Sequence, residues 1–212
     1  MQRPKLIAEN LEEASFFTIY DDEDQMLMNQ KVKNENAEEQ TLERGIIEQS
    51  LFERVTFNQS DFYRLEITDS VFVNCDFSNC KMEEAVFYRC EFKNCKMLGA
   101  NLDGAIFNNV LLEETYLELA AMNKMKFKDV IFKEFNLKDI SFEENKIQGT
   151  VKFIDCNIDQ MSFYDTSLKN IDFSSCHFER IDVEERLIRG LKVNADQAAV
   201  LAQLLMGIRV EY

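Results

Sequence analysis

Large apolar side chains recur at every fifth position along most of the chain. The series begins at Leu42 and runs to Ile147, and after one inserted residue near Gly149 it resumes at Phe153 and ends at Val183. A helix repeats every 3.6 residues and a strand every 2, so neither element explains a sustained period of five. This position is called i below. Its members are Leu42, Ile47, Phe52, Phe57, Phe62, Ile67, Phe72, Phe77, Met82, Phe87, Phe92, Met97, Leu102, Phe107, Leu112, Leu117, Met122, Phe127, Phe132, Leu137, Phe142, Ile147, Phe153, Ile158, Phe163, Leu168, Phe173, Phe178 and Val183.

The position two residues before i, called i−2, is mostly small or apolar. From residue 42 to 183 no charged residue occurs at i or i−2, whereas charges are frequent at i−1, i+1 and i+2. Two side chains of every five are therefore expected to point inward, spaced by two as in a short strand, while the others turn a corner. Representative i−2 residues are Ser50, Ser60, Ser70, Ala85, Ala100, Ala105, Thr115, Ala120 and Thr166.

Segments such as residues 75–79 (CDFSN) and 100–104 (ANLDG) resemble the signature of the pentapeptide-repeat family. The resemblance covers about residues 42–185. It implies an all-β fold, a right-handed quadrilateral β-helix with four pentapeptides in each coil. The array would form about seven coils stacked at the ~4.8 Å spacing of paired strands.

Stacked coils leave open ends, and solenoids need caps there. Near the C-terminus, Asn194 can serve as the N-cap of a helix, with Gln197 completing a capping box. The helix is expected over residues 195–206, with Gly207 as its C′ residue. It is apolar nearly all round, so it must be buried on more than one side. A second protein surface, or deep folding into its own chain, would supply that burial.

Three segments follow from these patterns. Residues 1–41 are expected to form a partial coil or cap with an exposed acidic loop, because Asp21–Asp24 and residues 29–41 are rich in acids. Residues 42–185 form the β-helix. Residues 186–212 form the C-terminal cap, with short strands predicted on both sides of the capping α-helix.

The stretch from Gly190 to Val210 is similar to the C-termini of the quinolone-resistance (Qnr) and MfpA-type pentapeptide proteins. In those proteins an apolar helix containing Gln, followed by a short strand, builds a two-fold dimer. The resemblance implies a homodimer here. The implied interface residues are Ala198, Leu201, Ala202, Leu204, Leu205, Ile208 and Val210.

Six cysteines and one histidine are the residues that could suggest chemistry. The cysteines all occupy position i−2, where Cys packs as a small hydrophobe, and zinc sites usually use tighter spacing. His177 falls at i−1 and is expected to face solvent. We therefore expect no catalytic residue, no cofactor and no metal, and a protein that is not an enzyme. The cysteines are Cys75, Cys80, Cys90, Cys95, Cys156 and Cys176.

The formal net charge of the chain is −15, and it is concentrated on one predicted face. Grouping the pentapeptides four to a coil places eleven acids on the face that runs through Leu42 and Phe62. Four bases (Arg44, Arg64, Lys81 and Lys124) lie on the same face, and the other three faces are closer to neutral. We call the eleven acids the acidic stripe. They are Glu43, Asp61, Glu83, Glu84, Asp103, Glu143, Glu144, Asp165, Asp182, Glu184 and Glu185.

An acidic rod repels nucleic acid, and its natural partners are basic protein surfaces. The Qnr-type resemblance implies a DNA mimic that binds DNA gyrase or topoisomerase IV, with quinolone resistance of a bacterial host as one consequence. The alternative is a passive scaffold for another cytoplasmic protein, in which the charge only maintains solubility. No export signal or membrane span is evident, so a cytoplasmic location is expected.

Overall fold

The computed structural model describes residues 1–209 and 211. The chain winds into a right-handed, four-sided parallel β-solenoid of about seven turns, followed by a single C-terminal α-helix, as the sequence predicts. Within the described residues, three short 3₁₀ helices span Ala8–Asn10, Phe16–Tyr20 and Glu185–Leu187. The elements are β1 (Glu12–Glu13), β2 (Met26–Met28), β3 (Gln30–Lys33), β4 (Ile46–Glu48), β5 (Leu51–Glu53), β6 (Glu66–Thr68), β7 (Val71–Val73), β8 (Val86–Lys93), β9 (Ile106–Glu113), β10 (Lys126–Lys133), β11 (Lys146–Ile154) and α1 (Ala195–Met206).

Each coil takes twenty residues, so equivalent positions stack directly on one another. Ile47 pairs with Ile67, which in turn pairs with Phe87, in parallel register. The register shifts by one residue between β10 and β11, where Val130 pairs with Val151. This shift is the predicted insertion near Gly149, and it leaves the inward positions aligned above and below it.

The core is a set of stacked rings and aliphatic side chains at position i. Phe52, Phe72 and Phe92 form a column with ring centroids 4.8 and 4.9 Å apart and nearly parallel planes. From Arg44 to Asn170, the i+2 residue of each pentapeptide turns the corner with positive φ, for example 56° at Asn74 and 64° at Gly99. Most of these corners carry residues with side chains, and the regular ladder of hydrogen bonds holds them in that conformation.

The solenoid begins earlier than the expected boundary at residue 42. Strand β3 pairs with β5, and both Val32 and Ala37 are fully buried at position i. Residues 29–41 are therefore part of a coil, not an exposed loop, because their charges lie at outward positions. The open end is closed by the 3₁₀ helix Phe16–Tyr20, whose Phe16 ring lies 5.1 Å from that of Phe57.

The N-terminal residues run along an outer corner of the rod. The backbone N–H of Gln2 donates to the side chain of Asn109, and that of Lys5 donates to Asp69 Oδ1 at 2.8 Å. Asp69 and Arg89 occupy outward corner positions, yet they are only 2% and 9% exposed. They form an ion pair, which is sealed on one side by the N-terminal segment.

The C-terminal helix has the predicted bounds and caps. Asn194 and Gln197 form the capping box, and Gly207 ends the helix with φ of 68°. Residues before the helix still follow the coils, since Lys192 pairs with Asp172. The coil path therefore continues past the expected boundary at residue 185. Ile208 and Arg209 are not in a strand, and Val210 lies outside the described residues.

Candidate partner-binding surfaces

The acidic stripe lies on one side of the rod. Bridges join Thr41 to Asp61 and Asp61 to Lys81, and the same column continues through Ser162 to Asp182. All eleven acids are exposed or partly exposed. The structure therefore brings the eleven acids grouped from the sequence together on one face.

Most carboxylates of the stripe are paired within the chain. Arg64 contacts Glu84 at 2.7 Å, and Lys81 contacts Asp61 at 3.5 Å. Arg186 contacts both Asp165 at 3.2 Å and Glu184 at 3.0 Å. Further contacts of 3.3 to 4.0 Å join Arg180 to Asp182, Lys124 to Glu144 and Arg44 to Glu43.

The four bases assigned to this face from the sequence did not include Arg180 and Arg186. Both side chains reach the stripe from beside it. Their pairing reduces the effective charge at the C-terminal end. Exposed pairs of this kind contribute little to stability, about 0–1 kcal/mol each. The signal that could have revealed them is local, because Arg180 stands two residues before Asp182 and Arg186 stands two residues after Glu184.

Three carboxylates in the middle of the stripe have no ion-pair partner among the described residues: Glu83, Asp103 and Glu143. They occupy the i+1 position on the same face of their coils. Asn123 takes that position in the coil between Asp103 and Glu143. Neutral groups hold them, because Asn101 Nδ2 donates to Glu83 Oε1 at 2.7 Å and the Asn123 N–H donates to Asp103 Oδ1 at 2.9 Å. The Ser162 hydroxyl donates to Glu143. No cation in the described part of the chain offsets this column, and neutral donors orient its side chains.

The second surface is the groove beside the C-terminal helix. Gln197 and Leu201 face the last coil and are 4% and 7% exposed. Leu201, which was predicted in the dimer interface, therefore packs mainly on the solenoid of its own chain. The opposite side is apolar and open, with Leu204 43% and Ile208 47% exposed. The groove has a volume of about 280 Å³. It is lined by Ile188, Leu191, Val193, Ala198, Leu201, Ala202, Leu205 and Met206.

The expected burial of all six cysteines is confirmed. Burial raises the pKa of the Cys80 and Cys90 thiols to about 12, so both are protonated at neutral pH. His177 is exposed, as expected, and its backbone N–H pairs with the carbonyl oxygen of Cys156. Across residues 1–209 and 211, no group of three or more Cys, His, Asp or Glu side chains is arranged to hold a metal ion.

In the part of the chain that the structure describes, no helix is both long and apolar enough to cross a membrane.

The fold and these surfaces define a repeat solenoid that presents flat faces and shallow grooves along its length. A family model described as the pentapeptide repeat region matches residues 85–151 and 125–199. These two matches together span more than half of the chain. The chain belongs to the pentapeptide repeat family.

Solved structures of similar shape include other pentapeptide solenoids. A trypsin-treated variant of QnrB1, a plasmid-mediated fluoroquinolone resistance protein, is 17% identical, with 88% of this chain and 100% of that chain covered and a TM-score of 0.42. HetL from the cyanobacterium Nostoc, which is involved in regulating heterocyst differentiation, is 11% identical, with 80% and 83% covered and a TM-score of 0.44.

A pentapeptide repeat protein from the thylakoid lumen of Arabidopsis thaliana is 21% identical. That comparison covers 63% of this chain and 86% of the other, with a TM-score of 0.36. No curated protein matches the sequence. The family assignment rests on the family model.

Proposed function

We propose that this protein is a non-enzymatic, dimeric DNA mimic that binds DNA gyrase or topoisomerase IV through the acidic stripe. The observation that carries the proposal is the column formed by Glu83, Asp103 and Glu143. These carboxylates repeat at multiples of the coil spacing, about 4.8 Å, on a straight rigid face. A basic channel that holds duplex DNA would meet a comparable row of fixed negative charges.

The apolar groove beside α1 (Ala195–Met206) supports the dimer. An exposed apolar surface of this kind is typical of an interface. A second copy related by a two-fold axis would cover Leu204, Leu205 and Ile208 of each chain, and it would nearly double the length of the acidic rod. Leu205→Asp should therefore give a monomer in sedimentation at micromolar concentration. A wild-type protein that sediments as a monomer would contradict the dimer.

The stripe is tested with a triple charge reversal. Glu83, Asp103 and Glu143 are changed together to Lys, and supercoiling and direct binding are measured with purified gyrase and topoisomerase IV, with and without a quinolone. The matched control reverses Glu66, Asp155 and Glu179, three exposed acids outside the stripe that have no ion pair among the described residues. Both variants change the net charge equally.

Loss of binding confined to the first variant supports the stripe, and wild-type binding should weaken steeply with salt. Equal loss in both variants would mean that only net charge matters. A wild type that binds neither enzyme at low salt would end the topoisomerase proposal and leave the second candidate. That candidate is a scaffold for another protein, and it is favoured by the many ion pairs that already neutralise much of the stripe.

A further inference from the structure

One corner residue has a side chain that the fold does not explain. Leu119 has a φ of 62°, in the left-handed region, and is 80% exposed. Among the described residues it is the only apolar side chain at positive φ, where this chain otherwise uses Gly, Asn, Asp, Gln, Glu, Lys or Arg. The left-handed region disfavours an ordinary L-residue, and Asn tolerates it better.

The hydrogen-bond ladder also stops at this corner. On the coil below, Met97 N–H donates to Tyr116 O at 2.7 Å and Gly99 N–H donates to Glu118 O at 2.9 Å. The equivalent bonds from residues 117 and 119 to the coil above are absent from the described part of the chain. The next i−2 position there holds Phe135, a buried ring where small residues are usual. The strained conformation of Leu119 is thus supported from one side only.

Two other exposed apolar side chains lie on the face that ends at the Leu119 corner, although Leu119 itself does not line the groove between them. Leu98 is 43% and Tyr116 50% exposed, and both line a shallow groove of about 470 Å³. We call Leu98, Tyr116 and Leu119 the corner patch. Gly99 occupies the same corner one coil below, where it adds no side chain, and Asp139 occupies it one coil above. Single exposed leucines are ordinary, but a cluster with an aromatic ring resembles the anchors of interfaces.

The surroundings of the corner patch are acidic. Asp76 and Glu118 line the groove together with a single base, Lys96. Glu118 Oε2 is buried and has no hydrogen-bond partner among the described residues. Glu83 and Asp103 of the stripe lie on the next face, directly beyond the Leu119 corner. A partner that fits this surface would offer an apolar pocket bordered by basic side chains.

We propose that Leu119 is a recognition anchor that inserts into an apolar pocket of the protein partner, beside the basic surface that the stripe engages. The stripe would steer the encounter through long-range charge, and the corner patch would hold the complex through desolvated apolar contact. The identity of the partner rests on the proposed function. The anchor explains why a leucine stays in a conformation and an exposure that both disfavour it.

The test is Leu119→Asn. Asn suits the left-handed conformation and no buried contact is lost, so the denaturation midpoint should stay the same or rise. Affinity for gyrase or topoisomerase IV should fall at least tenfold, with little change in its salt dependence. The matched control is Gln59→Asn, at the same corner position three coils earlier, which should leave both the midpoint and the affinity unchanged.

A lower midpoint for Leu119→Asn would assign the side chain a structural role and overturn the anchor. Unchanged affinity would overturn it as well, while wild-type binding would keep the proposed function intact. If the wild type binds neither topoisomerase, a photocrosslinker (p-benzoylphenylalanine) at position 119 is compared with one at position 59 in cells.

A saturable adduct with one protein, formed only from position 119 and competed by wild type but not by Leu119→Asn, would support the anchor with another partner. No such adduct, or an adduct only with a second copy of this chain, would overturn it.

Discussion

The side-chain amide of Gln197 donates to the backbone carbonyl oxygen of Cys176 at 2.7 Å. The same amide nitrogen donates to the carbonyl oxygen of Phe173 at 2.8 Å, and Gln197 Oε1 accepts from the N–H of Asn194. One buried side chain therefore satisfies carbonyl groups at the open end of the solenoid while it closes the N-terminus of the helix.

Gln197→Ala should destabilise the protein by about 1–3 kcal/mol, because it leaves buried carbonyl groups without donors. The free energy of unfolding by denaturant measures this loss. Gln203→Ala on the exposed side of the same helix is the control and should change stability by less than about 0.5 kcal/mol. Equal effects of the two substitutions would mean that the amide contacts do not hold the cap.

Phe92→Ala should cost about 3–5 kcal/mol, because it removes a fully buried ring from a column that has no room to collapse. The Phe92 ring is stacked on Phe72 at 4.9 Å, and its side chain has no exposed surface. Denaturant unfolding gives the loss, and Phe17→Ala, at an exposed ring, is the control. A loss below about 1 kcal/mol at Phe92 would contradict burial at position i.

The Cys90 thiol should make stability depend on alkaline pH. Its burial raises the pKa from 9.0 to about 12, so the folded state holds a proton that the unfolded state releases first. The contribution of the protonated Cys90 thiol to the free energy of unfolding is fully present below pH 9. It is lost as the pH rises toward 12. Unfolding midpoints at pH 8 and pH 10.5 should therefore differ less in Cys90→Ala than in wild type.

Thiol labelling offers an independent check on the same residue. All six cysteines are buried, so the native protein should react slowly with a thiol reagent. The reaction should become complete only after denaturation. Fast labelling of several cysteines at neutral pH would show that the i−2 side chains do not point inward.

Arg89→Ala should cost about 3–5 kcal/mol, because it leaves the Asp69 carboxylate buried without its partner. The guanidinium of Arg89 also lies over the Tyr88 ring, 3.8 Å from its centroid. Arg54→Ala, at an exposed corner, is the control and should have a small effect. If the two variants unfold at the same denaturant concentration, the N-terminal segment does not seal this ion pair from water.

The sequence alone determined the direction of nearly every side chain in the array. Inward and outward positions follow from local backbone geometry, so the period of five was enough to predict the buried cysteines and the insertion near Gly149. The four-sided coil was what the resemblance to the pentapeptide-repeat family implied. The cap was equally local, since Asn194, Gln197 and Gly207 act within a few residues of one another.

Only the tertiary structure decided what most of the outward residues contact, because most of those contacts join residues one or more coils apart. The charges of residues 29–41 suggested a loop, but Val32 and Ala37 are apolar at position i and the coil forms around them. The N-terminal segment reaches Asp69 and Asn109, and Arg186 reaches the stripe, through contacts between segments that are distant in sequence. The exposure of Leu119 likewise depends on the glycine one coil below it and on the ladder that ends above it.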